Sequence, residues 1–111
     1  MLEKKLKSSL AKSISEHIGE TITSNYGESV AKIIFNNFEA RFGLKKNDIA
    51  LQPVKFEELL EDIFGKGAAC LVVKHTLVKE LERQFYLQIQ VRSRENTSVA
   101  HVITLILSNA N

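Results

Sequence analysis

The sequence predicts an α+β fold: a four-helix N-terminal body followed by a C-terminal antiparallel β-hairpin. Three observations carry this. Apolar residues recur at helical spacing up to about residue 85, seen most cleanly in Phe56, Leu59, Leu60, Ile63 and Phe64. Glycines punctuate the chain between those stretches. Beyond residue 85 the period falls from 3.6 to two, with Phe85, Leu87, Ile89 and Val91 alternating with Tyr86, Gln88, Gln90 and Arg92.

The first predicted helix covers about 2–25. Leu2, Leu6, Leu10, Ile14, Ile18 and Ile22 step by four, a stripe that drifts around a straight helix and favours a break or curve near Gly19. Tyr26-Gly27 marks a stop. The second predicted helix runs from about Glu28 to Phe42, with Val30, Ile33, Ile34, Phe38 and Phe42 as its stripe and Ala31 and Phe35 widening it. So broad a stripe implies contact on more than one side. Gly43-Leu44 reads as a C-terminal cap, with a left-handed glycine and a leucine folding back. Lys45–Gln52 is a connector in which Asn47 or Asp48 can cap a short turn.

The third predicted helix spans Pro53–Phe64. Proline suits its first turn and Gly65 its end. Glu57, Glu58, Glu61 and Asp62 fill its other face and read as a solubilising surface. Gly65-Lys66-Gly67 is a hinge into the fourth predicted helix, about Ala68–Phe85. Ala69, Cys70, Val73, Leu77 and Leu81 line one face of it. Leu71, Val72 and Val78 cover much of the rest, which places it at the centre of the bundle. Ala68 and Ala69 would let another helix approach closely.

Residues 85–92 and 98–107 then read as the hairpin, around a polar turn at 93–98. Val99, Val102, Ile103, Thr104, Leu105, Ile106 and Leu107 make the second strand apolar on both faces. A short final helix is the alternative for that segment. Two strands alone are marginal in water, and an apolar edge invites pairing. The sequence therefore predicts a homodimer through Leu87, Ile89, Val91, Val102, Ile103 and Leu105, or a partner protein that adds the missing strand. At 111 residues the whole is one domain (1–85 helical body, 86–107 hairpin).

Composition narrows the function classes. The chain is 44% hydrophobic and 25% charged, with a net charge of +2, ordinary for a globular domain and too small a charge to imply nucleic acid. The lysines Lys4, Lys5, Lys7 and Lys12 read as a solvated helix face. No apolar run reaches the length of a membrane span, and no apolar block follows the lysine-rich start. The single cysteine rules out an internal disulfide. The expectation is a cytoplasmic protein.

Motifs that carry chemistry are incomplete. Cys70 and His75 lie five apart, and His17 and His101 fall on other elements, so no set of about four zinc ligands converges. Glu16, His17 and Glu20 could form one edge of a metal or acid–base site but lack the second histidine of His-Glu-x-x-His. A straight acidic helix cannot wrap calcium. Phe64-Gly-Lys-Gly-Ala-Ala opens a helix as phosphate sites do, yet lacks the Walker spacing. Asn96-Thr-Ser98 matches a glycosylation sequon but reads as a turn. No catalytic residue, metal or cofactor is expected.

The segments Gly27-Glu-Ser-Val-Ala-Lys-Ile-Ile-Phe35, Phe38-Glu-Ala-Arg-Phe-Gly-Leu44, Asp48-Ile49, Phe56, Leu60-Glu-Asp-Ile-Phe-Gly-Lys-Gly-Ala68 and Lys79-Glu-Leu81 resemble the small archaeal helical modules called Nitrosopumilus-type output domains. The resemblance covers about residues 10–85. It implies a signalling or regulatory module rather than an enzyme, and it brings no catalytic residues. An alternative function from another class is a small-molecule or lipid-binding bundle, with Phe35, Phe38, Leu77 and Leu81 lining a pocket between the second and fourth predicted helices.

Overall fold

The structure is a computed structural model; it describes residues 2–85 and 98–109, with side chains from Ser8 onward. Helix α1 (Leu2–Phe42) is followed by a 3₁₀ turn (Lys46–Leu51) and by α2 (Pro53–Phe64), α3 (Ala68–Gln84) and α4 (Val99–Ser108). Among the described residues there is no strand, so the fold is all-α and the α+β expectation is corrected.

The correction falls on residues 98–107. They form a helix because a helical signal outweighs their β-branched composition. Ser98 caps the start, its side chain accepting a hydrogen bond from the His101 amide. Val99, Val102, Ile103 and Ile106 then recur at i, i+3, i+4 and i+7, and all four are buried. The first half of the predicted hairpin, from residue 86 on, lies outside the described residues.

Helix α1 consists of two arms. Its break is at Gly27, where φ is 88° and ψ 165°, a conformation open essentially to glycine alone. The turns before it prepare the break. Thr21, Thr23 and Asn25 each donate a side-chain hydrogen bond to the carbonyl four residues back, at 2.8–2.9 Å, a back-bonding pattern that bends helices. Gly19, the expected break, instead lies in continuous helix as a close-approach site. A Cβ there would sit 2.9 Å from Lys46 Cδ and 3.6 Å from Phe35 Cζ. The second arm and the 3₁₀ turn can therefore lie over the first arm.

Ser15 fastens that turn. Its buried hydroxyl donates to the Ala11 carbonyl at 2.9 Å and accepts from the Ala50 amide at 3.0 Å. Gly43 takes a left-handed φ of 67° and its amide caps α1 on the Glu39 carbonyl, with Leu44 packed on the core as expected. Asp48 accepts from the Lys45 amide at 2.9 Å. One apolar core runs through all the helices. Phe38 meets Phe42 and Phe56 edge-on, with ring centroids 5.8 and 5.7 Å apart.

Candidate interaction surface

Helix α3 carries two apolar stripes. The inward one, Cys70, Val73, Leu77, Val78 and Leu81, is buried. The outward one is Ala68, Leu71 and Val72, with exposed His75 continuing the face, at i, i+3, i+4 and i+7. Leu71 is 51% exposed and Val72 59%. A helix apolar on both sides is one built to be covered on both sides, and within the described residues only one side is covered. The other large exposed apolar side chains, Ile33, Leu51 and Val54, do not follow such a stripe and match the scatter of ordinary surfaces. Ala68 and Ala69, expected to admit a neighbouring helix, are exposed.

The outward stripe has a defined border. Thr76, the next residue on this face, donates to the Val72 carbonyl at 2.9 Å and faces the Tyr26 hydroxyl at 3.4 Å. Tyr26 is the last residue before the α1 break, so Gly27 positions the aromatic edge of the surface. At the N-terminal end, Gly67 caps α3 without a side-chain hydrogen bond. Exposed Lys66 lies there, and exposed Lys79 lies beyond the other end.

Beside this surface α3 is anchored by a half-buried ionic network. The Lys74 ammonium lies 3.3 Å from Glu57 Oε2 and 3.3 Å from Glu61 Oε1. Burial alone would lower its pKa, but hydrogen bonds and charge from Glu57 and Glu61 outweigh that and hold it above the ordinary lysine value. The other Glu57 oxygen, Oε1, accepts from the Ala100 amide at 2.7 Å and from Ser98 Oγ at 3.0 Å. Glu57 thus places a carboxylate on the positive end of α4. Burial pushes the Cys70 thiol up, Lys74 opposes that, and Glu61 and Glu57 add to it.

A polar cleft of about 270 Å³ separates the first arm of α1 from the end of α3, lined by His17, Glu20, Thr21, Ser24, Asn25, Glu80 and Arg83. Arg83 pairs with both oxygens of Glu80 at 3.4 and 2.7 Å and holds that carboxyl below its usual range. His17 Nε2 is 3.7 Å from Glu80 Oε2, too far for a hydrogen bond, and its ring meets Phe85 edge-on at 6.0 Å. Glu16 lines an adjoining cleft of about 170 Å³. Among the described residues no group of three or more His, Cys, Asp or Glu side chains is placed to hold a metal.

The predicted site residues separate accordingly. Of the strand interface, Leu87, Ile89 and Val91 lie outside the described residues. Val102 and Ile103 are sealed in the core and Leu105 is half-buried, all three on α4. Pairing through a strand at 98–107 is therefore overturned: the backbone groups of a helix are spent within it. Of the alternative pocket lining, Phe38, Leu77 and Leu81 are fully buried in the core. Phe35 is half-buried, with Lys46 Nζ 6.0 Å over its ring. The sequence did carry Leu71 and Val72 on the second side of α3, but as residues facing another helix of the same chain. Among the described helices none is long and apolar enough to cross a membrane. Comparison of the chain with protein-family models, curated proteins and solved structures finds no match.

Proposed function

We propose that this chain is a non-enzymatic, cytoplasmic interaction module of regulatory type, which docks a helix on the outward stripe of α3. The observation that carries the reading is the spacing and exposure of Ala68, Leu71, Val72 and His75, the pattern by which one helix reads another. A two-turn face with Ala68, Leu71 and Val72 as its apolar centre, beside an aromatic edge at Tyr26, suits a helix better than a flat contact. The resemblance of residues 10–85 to archaeal signalling-output modules supports a regulatory role, and the single buried thiol supports a reducing compartment. The strand-mediated homodimer gives way here to a helix-mediated contact.

Replacing Val72 with a photo-crosslinking residue tests this in the source cells. Irradiation gives one discrete heavier species, which is absent when the crosslinker stands at exposed Lys12. It is also lost when Leu71→Glu is added, while the melting temperature stays put, since exposed substitutions cost within about 0.5 kcal/mol. Equal adducts from both positions, or none from Val72, refute the reading.

A further inference from the structure

We infer that the helix docked on α3 belongs to a different protein and flanks its apolar face with carboxylates. This rests on the reading of the outward stripe as a docking surface. Lys66 and Lys79 bracket the stripe, both exposed: Lys66 stands just before the Gly67 cap of α3, and Lys79 lies roughly 16 Å along the axis from Ala68 at 1.5 Å per residue. The neighbouring cations are already matched within the chain, Lys74 to Glu57 and Glu61 and Arg83 to Glu80. Glu82, the acid on the outward face, lies past Lys79, outside the two apolar turns. The N-terminus of α3 adds a positive pole beside Lys66, where Gly67 offers no capping side chain.

A second copy of this chain fits that frame poorly. Symmetry fixes which residues meet in a two-fold contact. An antiparallel pairing centred on Val72 sets Lys66 against the region of Lys79 in the other copy. A parallel pairing sets each lysine against itself. Both arrangements bring like charges together at both ends of the stripe, which disfavours them. A helix with glutamate or aspartate about two turns to either side of its apolar centre reverses the sign at both ends.

The test uses two synthetic 16-residue helical peptides with the same apolar i, i+3, i+4, i+7 face. One has glutamates and the other lysines at its flanks. Each is titrated against the full chain by fluorescence anisotropy at low salt. The glutamate peptide binds about tenfold tighter, the scale of two partly exposed charge pairs. Its advantage shrinks at 0.5 M salt, and Lys66→Glu with Lys79→Glu reverses the order. Equal affinities, or a preference for the lysine peptide, with Leu71→Glu still abolishing binding, overturn the charge assignment while the surface stands. If neither peptide binds, or Leu71→Glu changes nothing, the docking surface itself fails and the inference with it. A concentration-dependent dimer in sedimentation that Leu71→Glu dissolves overturns the inference in favour of a second copy.

Discussion

Replacing Glu57 with alanine should loosen α4 from the rest of the molecule. The Glu57 side chain is 14% exposed and makes three contacts: the Ala100 amide at 2.7 Å, Ser98 Oγ at 3.0 Å and Lys74 Nζ at 3.3 Å. Hydrogen bonds to a charged group contribute roughly 1.5–3 kcal/mol each, and a carboxylate at a helix N-terminus roughly 0.3–1 kcal/mol. The terms do not add, because water reaches part of the site and Lys74 keeps Glu61. A loss of about 3 kcal/mol is therefore expected for Glu57→Ala. Glu57→Gln should lose about half of that, since the amide oxygen still accepts from Ala100 while the charge toward Lys74 is gone. Glu58→Ala is the control: the same residue type one position on, exposed, with an expected effect within about 0.5 kcal/mol. Chemical denaturation followed by circular dichroism gives all three values. Hydrogen exchange at the Ala100 amide, which should accelerate in Glu57→Ala, locates the damage. If Glu57→Ala costs no more than Glu58→Ala, the carboxylate does not hold α4 and the docking account is wrong.

Gly27→Ala meets no atom within 4 Å, so its cost comes from backbone strain at φ 88°, about 1–3 kcal/mol by denaturation. Gly19→Ala should fall within about 0.5 kcal/mol of wild type, because a helix-propensity gain of up to about 1 kcal/mol is offset by displacing the flexible end of Lys46. Cys70 is 2% exposed and its thiol is pushed up by burial, so an aromatic disulfide reagent should label it only under denaturing conditions; fast labelling of the native protein would contradict its place in the core. The pKa of Lys74 is higher folded than unfolded, so its stabilisation is complete below its ordinary value near 10.5 and fades as pH climbs through the folded value. Lys74→Met should flatten the alkaline limb of the stability profile and leave the neutral plateau flat with pH.

Helices that bury one stripe were legible because their periodicity and their stop signals agree. The bounds of α2 matched Pro53 and Gly65, and the cap at Gly43 and the turn at Asp48 followed from side-chain and backbone chemistry that is local. Residues 98–107 misled because two signals compete there. β-Branched side chains suit a pleated surface, yet Val99, Val102, Ile103 and Ile106 share a helical face behind a serine cap, and the helix wins once α2 and α3 cover that face. Gly27 breaks α1 where Tyr26-Gly27 reads as a stop, whereas Gly19 misled because the sequence shows a glycine but not that Lys46 and Phe35 lie across from it. Glu57 was the hardest to see. It sits in an acidic run that reads as solvated, and its partners Ser98 and Ala100 are 41 and 43 residues away, a pairing that only the docking of α4 creates.

The same distant pairing bears on how well α3 would serve the proposed docking. The helix is fixed from three directions at separate points along its length. Lys74 ties it to Glu57 and Glu61 of α2, and through Glu57 to the start of α4. Thr76 and Glu80 face Tyr26 and His17 of α1. Its inward apolar residues are locked in a core where side chains have little freedom. The outward stripe is thus carried on a scaffold that does not have to be ordered when a partner arrives. Binding on a surface already held in place forfeits less conformational entropy than binding on a loop. Leu71 and Val72 also lose few rotamers, so a contact of only two turns can be productive. Loosening the brace without touching the stripe, as Glu57→Ala does, should weaken the proposed docking even though Glu57 lies off the outward stripe. Unchanged affinity in that variant would show that the stripe acts independently of the network beneath it.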